Sequence, residues 1–265
     1  MSEGYREIMP DGKLVPEGCE FLELIWGQEY RCLEATDEWL PNAGEKAPQC
    51  LENLGTVLSF LDRLATCWWG CRGGDHIVEH LVGRAYSSAR AALRLMRGGY
   101  YDEALSCVRS SGELANLLML FRQDKGSFQV WNAMDDAARR KSFSAFGVRK
   151  RLEKIDVPAA VDKDIYSALS IIGVHATPET IPQSYNPPAA PTTGGYFQPV
   201  GALTVLNELA YVAACIAAAS AGLLGLEHAK ATAVLDSARS LISSVGGVGI
   251  MGLEEMLGKL GEPTP

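Results

Sequence analysis

From Leu209 to Leu226 the chain reads LAYVAACIAAASAGLLGL, eighteen residues without a charge. No other feature constrains the fold as tightly. A helix of that composition has no polar face to turn to water, so either other helices wrap it or it lies in lipid. Half of its residues are alanine or glycine, which gain little from lipid compared with leucine or phenylalanine. Asn207 and Glu208 stand at one end, and no basic flank follows at once at the other. The expectation is a close-packed central helix over 201–226 in a soluble protein, with no membrane.

Such a helix needs neighbours to cover it. Apolar residues recur at three and four over 18–35, 49–71, 75–97, 102–123, 128–154, 162–172 and 228–245, while strand alternation is scarce. Gly73-Gly74 and Gly98-Gly99 close two of these helices, and Asp75 and Asp102 stand where the next ones would be capped. Connections this short favour antiparallel neighbours. The segment 176–199 carries six prolines and reads as a long loop. SVGGVGIMG, residues 244–252, lacks the preceding strand and the lysine of a phosphate-binding loop, and reads as a turn. The fold class is therefore all-α, an antiparallel helical bundle with a long proline-rich loop. Residues 1–48 supply an N-terminal arm and first helix packed on the core, and 49–265 the main domain.

Charge and cysteines narrow the function. A net charge of −8 argues against a generic nucleic-acid coat or a membrane-surface binder. Seven cysteines is an odd number, and no apolar leader follows the charged start MSEGYREIMPDGK. Reduced thiols and a cytoplasmic location are expected.

Four stretches carry candidate chemistry. Wound as a helix, residues 102–123 are apolar on two flanks, with Arg109, Glu113 and Asn116 between them at i, i+4 and i+7. A buried arginine needs a partner, here Glu113 or another acid such as Glu208. A structural pair is slightly favoured over a polar cavity; in that case Arg109→Ala strands Glu113 and costs roughly 3–5 kcal/mol. His175 follows the helix 162–172, at the start of the long loop, where it can act as a general base or a phosphate contact. The stretch 139–154 holds seven basic residues and one acidic, with Phe143 and Phe146 interleaved. It is a possible nucleic-acid contact, although a solvated helix face is the simpler account.

The fourth stretch is CWWGCRGGDHIVEH, residues 67–80. On continuous helices Cys67 and Cys71 would share one face and His76 and His80 another, and two thiolates with two imidazoles suit tetrahedral zinc. Its His-x-x-Glu-His order also matches a class of zinc peptidases, with Glu79 as base. The cysteine spacing is wider than in zinc fingers and no peptidase scaffold accompanies the motif. No cofactor is expected, zinc at Cys67, Cys71, His76 and His80 being the alternative.

Several motifs resemble an uncharacterised all-helical family of bacterial proteins over roughly residues 76–210: GGYYDEALSCVRSSGELANLLMLF, ARRKSF, VRKRLE, IYSALS and VHATPETIPQSYN. The matching positions are Arg109, Glu113, Asn116, Trp131, Arg149, Tyr166, His175 and Asn207-Glu208. That resemblance implies a bacterial, soluble, helical protein and no particular activity. A more distant likeness is to HEPN helical domains, many of them ribonucleases of defence and toxin–antitoxin systems. Those place Arg and His four to six residues apart on one helix, a pair absent here.

Together these point to a non-catalytic binding or interaction protein with a polar site at Arg109, Glu113, Asn116, Tyr166 and His175, its partner a small molecule or a protein. Homo-oligomerisation is compatible with this reading. The alternatives are a HEPN-like metal-independent ribonuclease using Arg109, Glu113 and His175, and a zinc-dependent hydrolase at 67–80.

Overall fold

The structure is a computed structural model and describes residues 19–71, 74–174 and 194–245. Ten α-helices follow one another among these residues: α1 (Glu20–Trp39), α2 (Lys46–Ala65), α3 (Ile77–Arg97), α4 (Tyr101–Gln123), α5 (Lys125–Ala133), α6 (Asp136–Ser142), α7 (Ala145–Lys154), α8 (Lys163–Gly173), α9 (Pro199–Leu223) and α10 (His228–Ser244). A 3₁₀ turn at Leu40–Asn42 links α1 to α2, and the described residues contain no strand. The fold is an all-α bundle. Residues 176–193 of the proline-rich segment lie outside the described residues.

The uncharged run forms the centre of the bundle. α9 packs on α2, α3, α4 and α10. Residues 212–221 of α9 are all buried, and most of them are alanine. Small side chains let neighbouring helices approach on every side, and the summed apolar burial replaces the polar face that the helix lacks. By length and composition α9 is also long and apolar enough to cross a membrane; 67% of its most apolar window is buried inside the bundle. Pro199 opens the helix at its first turn, where a missing N–H costs nothing. Gly201 then lies against Tyr101, where a Cβ would come within 2.5 Å of the ring. The Tyr101 hydroxyl accepts a hydrogen bond from the Gln198 backbone N–H at 2.8 Å.

α4 is the second central helix, buried along most of its length and packed on α3, α8 and α9. The turn before it is closed by Gly99, which has a φ of +80°. The Tyr100 N–H bonds back to the Leu95 carbonyl at 2.9 Å, satisfying an end carbonyl of α3. Asp102 does not cap this helix. Tyr100 holds the capping position without a side-chain bond, and Asp102 is buried in the first turn, where its carboxylate favours the positive end of the helix dipole.

Other boundaries also move. The expected helix over 128–154 is three helices, because Asp135 and Ser144 cap new starts: their side chains accept from the Ala138 and Gly147 N–H groups. Phe128, Trp131 and Phe143 gather around Phe121 of α4, so the short helices wrap one aromatic centre. α2 begins at Lys46, before the expected boundary at 48, and Leu40 and Ala47 already belong to the core. It ends at Ala65 instead of reaching residue 71, which changes the corner that follows.

Candidate functional site

The polar stripe of α4 is the track on which α8 docks. At one end Asn116 Nδ2 donates to the Val161 carbonyl at 2.8 Å, and its Oδ1 accepts from the Val161 N–H at 3.2 Å. Val161 presses against Gly112, where a Cβ would stand 2.2 Å from a valine methyl. At the other end Ser106 Oγ donates to the Gly173 carbonyl at 2.6 Å. A Cβ on Gly173 would meet that hydroxyl and the Asp102 carbonyl. Asp162 starts α8 by accepting from the Asp164 and Ile165 N–H groups, both at 2.9 Å. The helix is held at both ends by polar contacts; Leu169 and Ser170 are its only buried residues.

Between those clamps sits Tyr166. The guanidinium carbons of Arg109 and Arg149 lie 4.3 and 4.4 Å from its ring centroid, a distance at which each cation is attracted by the ring. Arg109 Nη2 also donates to the Tyr166 hydroxyl and lies 3.1 Å from Glu113 Oε1. The arginine side chain is 15% exposed and the glutamate 39%, so the pair sits at the edge of the interior. Two guanidiniums and one carboxylate leave the cluster with an excess positive charge. Arg109 Nε and Arg149 Nη1 are buried without a hydrogen-bond partner among the described residues. Such a donor carries its desolvation cost until an acceptor arrives. Arg149 also forms part of the wall of a cavity of about 520 Å³, between α7 and the segment leading into α8, with Phe146, Pro158 and Ala159 as apolar surface, Lys150 and Lys163 as further cations and Glu153, Asp156 and Asp162 as acids.

The structure thus brings together Arg109, Glu113 and Tyr166, three of the residues named from sequence. Asn116 is also engaged in docking: its amide donates to and accepts from the Val161 backbone, and the side chain is buried. His175 lies outside the described residues. Glu208 is half-buried on α9, and its desolvation raises its carboxyl above the ordinary value; Glu113 is the acid that pairs with Arg109. Arg149 is the residue that stripe analysis misses. Its signal was its place beside Val148, which is buried on the inner face of α7. Three other cations of the basic stretch are engaged elsewhere. Arg139 stacks on Trp131, donates to the Trp131 and Met134 carbonyls and pairs with Asp136; Arg151 stacks on Phe143, and Lys150 pairs with Glu153.

The 67–80 corner differs from its sequence reading. Cys67 is not on a helix, since α2 has ended, and its φ of 52° is left-handed. His76 is the residue before α3, also left-handed at 54°, with the Ile77 N–H bonded to Asp75 Oδ1 at 3.3 Å. The two pairs therefore share no helix faces. Cys67, Cys71 and His76 nevertheless converge, their ligand atoms all within 4.8 Å of one another. His80 does not join them: it is exposed on α3, its ring centroid 6.5 Å from that of His76. Glu79 takes its place, with Oε1 3.3 Å from His76 Nδ1 and 3.8 Å from Cys67 Sγ. The remaining cysteines include core thiols, with Cys32 pushed up by burial to about 11 and Cys215 to about 12.

No family model matches the chain, and neither a curated protein nor a solved structure matches it.

Proposed function

We propose that this protein is a non-catalytic binding protein for a small anionic molecule, a carboxylate or phosphate with an apolar body, taken up beside Arg149 and Tyr166. The carrying observation is the Arg149 guanidinium: it stacks on Tyr166, lines the cavity of about 520 Å³ and keeps a buried Nη1 without an acceptor among the described residues. Planar, permanently charged guanidinium is the side chain suited to a carboxylate or phosphate. Arg109 is already neutralised by Glu113, whereas among the described residues no carboxylate stands at ion-pair distance from Arg149. No disulfide joins the described cysteines to one another, which supports a reducing, cytoplasmic setting.

The test is thermal unfolding of the full chain against a panel of aliphatic and aromatic carboxylates and their phosphate counterparts. A ligand at a hundredfold its Kd should stabilise by about 2.7 kcal/mol, a rise of a few degrees. Arg149→Met should abolish the rise while leaving the fold intact. A panel without effect, or a rise that survives Arg149→Met, removes this reading.

A HEPN-like ribonuclease is the second reading, supported by Arg149, the member of the basic stretch that turns to the Arg109 stripe. It requires cleavage of single-stranded RNA without metal, lost in Arg109→Ala.

A further inference from the structure

Outside the Arg109–Tyr166–Arg149 cluster, the strongest concentration of reactive groups is the corner between α2 and α3. We infer that Cys67, Cys71, His76 and Glu79 form a binding site for one zinc-class divalent ion, which staples that corner.

The distances carry the assignment. Zinc bonds of about 2.3 Å to sulfur and about 2.0 Å to nitrogen or oxygen set tetrahedral edges of roughly 3.5 Å for sulfur with nitrogen or oxygen, and about 3.3 Å for nitrogen with oxygen. The observed edges are 3.5 Å from Cys67 Sγ to His76 Nδ1, 3.8 Å from Cys67 Sγ to Glu79 Oε1 and 3.3 Å from His76 Nδ1 to Glu79 Oε1. Three donors from a turn, a helix-capping position and a first helical turn thus already stand at the corners of one coordination face. A cysteine packed as an ordinary core residue has no reason to meet an imidazole nitrogen and a carboxylate together.

Cys71 is the fourth ligand. Its sulfur lies 3.5 Å from His76 Nε2, the ring nitrogen that faces away from the first three, and within 4.8 Å of the other cysteine. The side chain is exposed, so rotation towards the Cys67–Glu79 face meets little resistance. Four protein ligands make a closed site, the pattern of structural zinc. Two thiolates with an imidazole select zinc and similar soft-tolerant ions over magnesium or calcium. Glu79 as a ligand cannot also serve as the general base of a peptidase, so the corner is a staple and not a hydrolytic centre. Cys67 and Glu79 also line a small polar pocket of about 50 Å³ shared with Leu224, Glu227 and Lys230, placing the ion where the α2–α3 corner meets the turn between α9 and α10.

Cobalt titration of the reduced, metal-free full chain tests this. One equivalent of Co(II) should give a thiolate charge-transfer band and the intense visible bands of tetrahedral cobalt, bleached by one equivalent of zinc. Cys67→Ser should roughly halve the charge-transfer intensity or fail to bind, and Glu79→Gln should weaken binding about tenfold or more. His80→Ala should change neither stoichiometry nor spectrum. Should Cys67→Ser misfold by circular dichroism, Cys71→Ser decides, since removing one of two thiolates should roughly halve the charge-transfer intensity. A wild-type chain without a thiolate band, an undiminished band in Cys67→Ser, an unchanged intensity in Cys71→Ser or a band lost in His80→Ala overturns the assignment.

Discussion

α9 and α4 are the two central helices of the bundle, packed on each other, and they solve the problem of burial in opposite ways. From residue 209 on, α9 carries no charge and shrinks most of its side chains, so its neighbours approach from every side. α4 keeps one line of polar groups, Ser106, Arg109, Glu113 and Asn116, and covers it with a short helix whose backbone and tyrosine satisfy them. The first solution holds by close packing and tolerates no added volume. The second holds by hydrogen bonds and charge, so it specifies one partner in one register. A layer pinned by polar contacts can also border a binding cavity, because its interface does not depend on excluding every polar atom.

Mutations that act on one solution and not the other sharpen the contrast. The largest effect should come from Asn116→Ala, which leaves the buried Val161 N–H and C=O without partners. At about 1–3 kcal/mol for each stranded group, chemical denaturation should show a loss of about 2–6 kcal/mol. A loss under 1 kcal/mol would mean that α8 is held by something other than the α4 stripe. Arg109→Ala should cost about 1.5–3 kcal/mol, the range for a hydrogen bond to a charged group. That is less than expected of a fully buried pair, because the stranded Glu113 carboxylate is 39% exposed. Arg109→Met with Glu113→Leu should recover part of it, and thermal melts of the three proteins provide the comparison. An Arg109→Ala protein as stable as wild type breaks the account of α4 as a polar track.

On the other helix, Ala214→Leu adds volume where there is no space, and should cost about 1–3 kcal/mol by overpacking. If it instead stabilises, α9 is loosely packed and the comparison fails. Tyr166→Phe keeps the ring between the guanidiniums and removes only the hydroxyl, so about 0.5–1.5 kcal/mol should be lost, again by denaturation.

The subtlest effect is one of pH. Burial raises the Glu208 carboxyl above its ordinary value of 4.5, so the folded chain holds this proton more tightly than the unfolded one. Its contribution to stability is present below that value and is lost as pH rises through the raised one. Glu208→Gln should therefore flatten the pH dependence over that window and stabilise the protein near neutrality. Denaturation midpoints that are parallel for the two proteins across acid and neutral pH would show that the group does not titrate differently on folding.

How much of this the sequence discloses depends on whether the helix that an i, i+4 spacing presupposes is continuous. Across α4 it is, so Arg109 and Glu113 fall together as their spacing requires, and their shared stripe faces one neighbour. At residues 67–80 it is not. Apolar periodicity continues past Ala65 through Trp68 and Trp69, but the backbone has already turned, and left-handed Cys67 and His76 re-aim both side chains. Spacing then selects His80, whereas the fold selects Glu79. The break-up of 128–154 has a related cause: Asp135 and Ser144 were visible as capping types, but their effect is decided by the aromatic cluster around Phe121, which is long-range. Arg149 stood with Arg109 and Tyr166 among the motif positions and in the basic stretch, but no spacing along the chain puts it on the Tyr166 ring.

The position of α9 along the chain sets a condition on biosynthesis. Its contacts with α2, α3 and α4 join residues separated by a hundred or more positions, so the core cannot close while the chain is still emerging up to the end of α4. The earlier helices wait with their apolar faces uncovered until about residue 223 has left the ribosome. Contacts of such long sequence separation slow folding and extend the time during which sticky intermediates exist. During that interval the late-arriving alanine-rich helix is itself long and apolar enough to be mistaken for a membrane segment. This places the chain among those for which a chaperone that holds nascent apolar surface would raise the yield of folded protein.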